Sequence, residues 1–111
     1  MNNDINDKLE ELNIQLDEAS VPAGSYVPYV ITNNLVFISG QLPFINGQLT
    51  VKGKVGDTVS LEDGIKMAEA CAKALLSQLK SACNGNLNKV KRVVKLRGFV
   101  ASAPDFTDQP K

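Results

Sequence analysis

The sequence predicts an α+β fold, a sheet with helices on one face. Three observations point to it. Two short apolar runs alternate with period two around an Asn-Asn pair, one long stretch has helical spacing, and a further alternating run follows that stretch. Early paired strands, a helix and a later strand together make one layer of sheet under one layer of helix.

The chain opens with a short amphipathic helix, expected over Asn3–Leu12 within an N-terminal arm of residues 1–16. Ile5, Leu9 and Leu12 keep helical spacing, and Ile14 and Leu16 continue as an apolar tail. Asp4 and Asp7 favour the positive end of the helix dipole. Pro22 and Gly24 mark the next stretch, Asp17–Ser25, as a connector that delivers Tyr26 to the first strand.

From Tyr26 to Phe44 the chain reads YVPYVITNNLVFISGQLPF. Val27, Tyr29 and Ile31 alternate with Pro28, Val30 and Thr32, and Leu35, Phe37 and Ser39 alternate with Val36, Ile38 and Gly40. β-Branched and aromatic residues at this period form strands, and Asn33-Asn34 suits a tight hairpin turn because Asn tolerates positive φ. The second run is apolar on both faces as far as Ser39, so a central place in the sheet is expected. Ser39-Gly40 ends this strand. There a hydroxyl, a residue without Cβ and an amide follow one another where the backbone must turn, and a ligand or second chain can approach closely.

Asn46-Gly47 signals another hairpin turn, with Gln48–Val51 as a short third strand. Gly53 and Gly56 lack the Gly-Lys-Ser/Thr of a phosphate loop, which excludes nucleotide binding of that kind. Ser60 begins the long helix, with Asp63 three residues on as a capping-box variant. Leu61, Ile65, Ala68, Ala72, Leu75, Leu79 and Ala82 then predict one narrow apolar stripe, and Asn84-Gly85 a stop. A connector over Asn86–Lys89 leads into an expected strand, Val90–Val100, with Val94, Leu96, Gly98 and Val100 facing the helix. The last stretch, Ala103–Lys111, is a loop.

At 111 residues the chain is expected to form a single domain. Twelve basic and twelve acidic residues balance, so no global field draws it to nucleic acid or an anionic membrane. It contains no histidine, which excludes Ser-His-Asp and Cys-His catalysis and nearly all zinc enzymes. Acid/base work must come from carboxylate, Tyr, Lys, Cys or bound water. No cofactor and no metal is expected. Cys71 and Cys83 fall on the long helix about 18 Å apart, beyond disulfide reach, and read as small core residues of a reducing compartment. No apolar run approaches a membrane span and the acidic start is unlike a signal peptide, so the expected location is cytoplasmic.

Gly24-Ser25-Tyr26 followed by Ser39-Gly40-Gln41-Leu42-Pro43, the single long helix, the run KLRGFV and the following APDF together resemble the YjgF/RidA family, in particular a divergent branch with an extra N-terminal helix. The resemblance implies a chorismate-mutase-like fold and a homotrimer with sites between subunits. It implies hydrolysis of reactive 2-enamine or 2-imino acids to 2-keto acids and ammonia, with a small carboxylate or imino acid as ligand. It places Tyr26, Ser39, Gly40 and Phe106 at the substrate. Family members continue with a second helix and further strands that carry a carboxylate-gripping Arg and a Glu near the end. No position here matches either residue, so the fold is expected to be C-terminally incomplete and the chain a fragment of a longer one. Two other activities stay open within the resemblance, a non-catalytic carboxylate-binding protein and an endoribonuclease acting on messenger RNA. The absence of His and of a basic face argues against nucleic acid as a partner.

Overall fold

The computed structural model describes residues 4–111, which form two compact units. One unit joins the described residues up to Gln41 with Lys73–Val94, and the other joins Leu42–Ala72 with Lys95–Lys111.

The first unit opens with helix α1, Ile5–Glu11. Asp4 caps it, its carboxylate accepting the Asn6 N–H at 2.8 Å. The end of α1 is set by its own backbone. Asn13 takes φ +60°, and the N–H groups of Ile14 and Asn13 reach back to the carbonyls of Leu9 and Glu10 at 2.8 and 3.0 Å. That pair of bonds is a Schellman motif with Asn in place of Gly. Asn3, the expected first residue of α1, lies outside the described residues. Strands β1, Tyr29–Thr32, and β2, Leu35–Ile38, pair antiparallel with Tyr29 opposite Ile38 and Thr32 opposite Leu35. Asn33 supplies the positive φ of the turn, at +53°.

Helix α2, Leu61–Ala82, begins in the second unit and ends in the first. At its start the Ser60 hydroxyl accepts the Asp63 N–H at 3.1 Å. At its end Asn84 and Gly85 both have positive φ, and the Gly85 N–H bonds the Lys80 carbonyl at 2.8 Å, as the Asn-Gly signal predicts. A 3₁₀ turn, η1, Leu87–Lys89, follows and buries Leu87 to 2 % exposure. The Asn88 side chain returns to α1 and accepts the Ile5 N–H at 2.8 Å.

The second unit is built on Val55, Val59 and Ala103, all buried. The Val55 N–H bonds the Ala101 carbonyl and the Ala103 N–H bonds the Val55 carbonyl, each at 2.9 Å. The Asn46-Gly47 turn forms as expected, bridging Ile45 and Gln48.

The fold class is α+β, as expected, but three elements differ from the sequence reading. Among the described residues the sheet has two strands, so β2 is not central, and Phe37 on its outer face stays 60 % exposed. Gln48–Val51 does not continue as a strand. Pro43 lacks an N–H on the opposite arm, and the Phe44 N–H turns back to Leu42, so the ladder stops after one bridge. Val90–Val100 is not a strand either. Residues 91–100 are all exposed, including the Val94, Leu96 and Val100 expected to face the helix, because no described strand lies in register to pair them.

The buried face of α2 is also rotated from the expected stripe. Ala68 and Ala72 are exposed, whereas Ser77 and Gln78 are buried. Burial of these polar groups is tolerated because each finds a partner. The Gln78 amide donates to the Ser20 carbonyl at 2.9 Å, and the Ser77 hydroxyl to the Lys73 carbonyl at 3.1 Å.

Candidate functional site

The candidate site lies at the open end of the β1–β2 hairpin, opposite its turn. The chain enters through a bend at residues 23–26, where the Tyr26 N–H bonds the Gly24 carbonyl at 3.0 Å. The Tyr26 ring packs against Gly24, 3.5 Å from where a Cβ would stand, an ordinary contact distance. The ring is 45 % exposed, and its hydroxyl has no hydrogen-bond partner among the described residues. Tyr29 is the contrasting case, because its hydroxyl shares a bond with that of Ser81 at 3.3 Å.

Ser39 extends the hairpin by one residue. Its N–H bonds the Pro28 carbonyl at 2.9 Å and its hydroxyl donates to the Val27 carbonyl at 2.5 Å. Gln41 locks the corner from the other side, its amide donating to the Ser39 carbonyl at 2.9 Å. With the Ser39 proton committed to Val27, the hydroxyl oxygen keeps its lone pairs for an incoming donor. Gly40 is exposed, no heavy atom lies within 4 Å of where its Cβ would be, and its N–H is unpaired among the described residues. The corner therefore presents the Gly40 N–H as a free donor beside one acceptor held in place, and the Tyr26 hydroxyl is a second free donor, on the segment that enters β1. Donors of this kind suit a carboxylate or a carbonyl oxygen.

Phe106 is the fourth expected residue, and it belongs to the second unit. Its N–H bonds the Ala103 carbonyl at 3.1 Å, and its ring covers Gly56, where a Cβ would come within 3.0 Å of it. That packing accounts for its half-buried position. Gln41 joins the expected residues at the corner, and its place directly after Ser39-Gly40 is the sequence signal for it.

Neither Cys71 nor Cys83 is in a disulfide. Burial pushes the Cys71 thiol up from its ordinary value, which keeps it protonated and weakly nucleophilic. Among the described residues no three His, Cys, Asp or Glu side chains are grouped to hold a metal ion, and no helix is long and apolar enough to cross a membrane. An open groove of about 300 Å³ lies elsewhere in the first unit, lined by α1, the tail at Ile14 and Leu16, and Lys80.

The family described as "YjgF/chorismate_mutase-like, putative endoribonuclease" matches residues 6–111. Protein TCP17 of Trypanosoma cruzi is 42 % identical over 101 residues, which is 91 % of this chain and 62 % of that protein. Protein HMF1 of Saccharomyces cerevisiae is 26 % identical over 92 residues, 83 % of this chain and 61 % of that protein. Among solved structures, Atu1372 of Agrobacterium tumefaciens, a protein of unknown function, superposes with a TM-score of 0.84 at 44 % identity. That match covers 96 % of this chain and 64 % of that one. A "putative endoribonuclease" of Shewanella oneidensis MR-1 superposes with a TM-score of 0.75 at 28 % identity, over 82 % of this chain and 60 % of that one. The chain thus spans about three fifths of the length of the curated relatives it matches. With the hairpin, the long helix and the Ser-Gly-Gln corner in the expected order and a family match over residues 6–111, this chain belongs to the YjgF/chorismate-mutase-like family and has that family's fold.

Proposed function

We propose that Tyr26, Ser39 and Gly40 form one wall of a site for a small 2-imino or 2-keto acid. In the complete site this wall serves hydrolysis of the 2-imino acid, with its 2-enamine tautomer as precursor. Water adds to the imine carbon, the C–N bond breaks, and 2-keto acid and ammonia leave. The observation that carries this reading is the unpaired Gly40 N–H beside a Ser39 oxygen fixed by its bond to Val27, with the Tyr26 hydroxyl unpaired on the segment that leads into β1. Groups held in place before the substrate arrives lower the barrier without reorganising. The corner itself holds no cation to grip a carboxylate. In our proposal a neighbouring subunit of a homotrimer lends Phe106 or further groups to close the site.

The test is ammonia release from 2-aminoacrylate generated in the assay. The chain is expected to exceed the buffer rate, and Tyr26→Phe to lower it about tenfold or more, the usual effect of one lost positioning or proton-transfer group. Buffer rates from a folded oligomer would overturn the deaminase reading.

One observation favours a second reading. The Ser39 proton is already spent on Val27 and the three corner residues include no base, which suits holding a carboxylate without turning it over. A flat ammonia assay together with 2-oxobutanoate shifting the amide signals of Ser39 and Gly40 would select it. Endoribonuclease activity, the name that the family and the Shewanella protein carry, would require RNA cleavage that survives purification and disappears in Tyr26→Phe.

A further inference from the structure

The dipeptide Asn-Gly occurs twice in the chain, at Asn46-Gly47 and at Asn84-Gly85. Both asparagines are exposed and hold nearly the same left-handed backbone, φ +51° and +53°. Their surroundings differ. The Gly85 N–H is bonded to the Lys80 carbonyl at 2.8 Å, where a helix of 22 residues ends and just before the buried Leu87. The Gly47 N–H has no hydrogen-bond partner among the described residues, and no heavy atom lies within 4 Å of where a Gly47 Cβ would stand. The turn around it is held by a single bridge, the Ile45 N–H to the Gln48 carbonyl at 2.9 Å and the Gln48 N–H to the Ile45 carbonyl at 3.0 Å.

An asparagine side-chain amide is an electrophile, and asparagine is among the chemically labile residues. A following glycine nitrogen that is unpaired and carries no Cβ beside it is a nucleophile already next to that electrophile. We infer that Asn46 is a modification site, at which the chain deamidates itself, and that Asn84 is protected by its helix cap. The Gly47 nitrogen bonds to Asn46 Cγ and the Cγ–Nδ2 bond breaks. The departing nitrogen takes the Gly47 proton and leaves as ammonia. Water then opens the cyclic imide at either carbonyl, which gives aspartate or isoaspartate. To bring the nitrogen onto Cγ the backbone must leave its turn angles. At Asn46 that breaks one bridge, whereas at Asn84 it undoes the stop of α2. The formal net charge of the chain is zero, so each event leaves it with one negative charge. Isoaspartate also routes the main chain through a methylene, which moves Ile45 and Gln48 out of register. The site lies in the second unit and yields one ammonia per chain, so it stands or falls apart from the turnover proposed at the Tyr26 corner.

The test incubates the folded 111-residue chain in mildly alkaline heavy-oxygen water and follows both dipeptides by peptide mass spectrometry. Solvent oxygen is expected to enter at Asn46 at least about tenfold faster than at Asn84, because only the second must first open a hydrogen-bonded cap. In concentrated guanidinium chloride the two rates should converge to within about threefold, since neither glycine N–H is then held. In Gly47→Ala, checked for unchanged circular dichroism, labelling at Asn46 should fall at least about tenfold, because a methyl group then crowds the attacking nitrogen. Equal rates in the folded chain, faster labelling at Asn84, or a difference that persists undiminished in the denaturant would overturn the inference.

Discussion

Gly56 and Gly85 hold nearly the same backbone angle, φ +90° and +87°, and differ in what surrounds them. A Cβ on Gly85 meets nothing within 4 Å, whereas one on Gly56 would press to 3.0 Å on the Phe106 Cβ and Cδ1. Gly85→Ala should therefore cost only the left-handed strain, about 1 kcal/mol. Gly56→Ala adds a clash with a ring whose backbone is tied to Ala103, and about 2–3 kcal/mol is expected. Urea denaturation of the two variants measures the difference, and equal costs would mean that Phe106 moves aside freely. Tyr26 poses a separate question at this scale. Its exposed hydroxyl does no visible structural work, so Tyr26→Phe should leave stability within about 0.5 kcal/mol while it changes function.

At the scale of elements, each helix is delimited by its own ends. Ser60 satisfies one of the orphan N–H groups of α2, and Ser60→Ala is expected to destabilise by about 1 kcal/mol, with Ser60→Asp restoring most of the loss. Thermal melts would check this, and an unchanged Tm in Ser60→Ala would show that the first turn of α2 is held by packing alone. The salt bridges Lys8–Glu11 and Lys111–Asp108, both 3.7 Å and solvent-exposed, contribute little by comparison.

Across the whole molecule, order is uneven. Residues 91–100 are exposed, and no backbone bond ties them among the described residues, while the lysines of α2 sit on a hydrogen-bonded helix of 22 residues. A protease needs an extended, locally open backbone. Brief trypsin digestion should cut first after Lys91, Arg92, Lys95 and Arg97, and only later after Lys66, Lys73 and Lys80. Mass spectrometry of the early fragments reads the order. Early cuts in α2 would contradict it.

The sequence by itself determined what short-range chemistry controls. The Asn33-Asn34 and Asn46-Gly47 turns, the Ser60 start and the Asn84-Gly85 stop of α2, and the Ser39-Gly40-Gln41 corner all depend on φ preferences or on side chains reaching a few residues along the chain. Only the tertiary structure decided which face of α2 is buried, because Gln78 becomes an interior residue once the Ser20 carbonyl, 58 residues away, accepts a hydrogen bond from its amide. It alone set Phe106 on Gly56. It also left Val90–Val100 unpaired, since a strand is defined by the neighbour that bonds to it, and β-branched residues in alternation cannot supply that neighbour themselves.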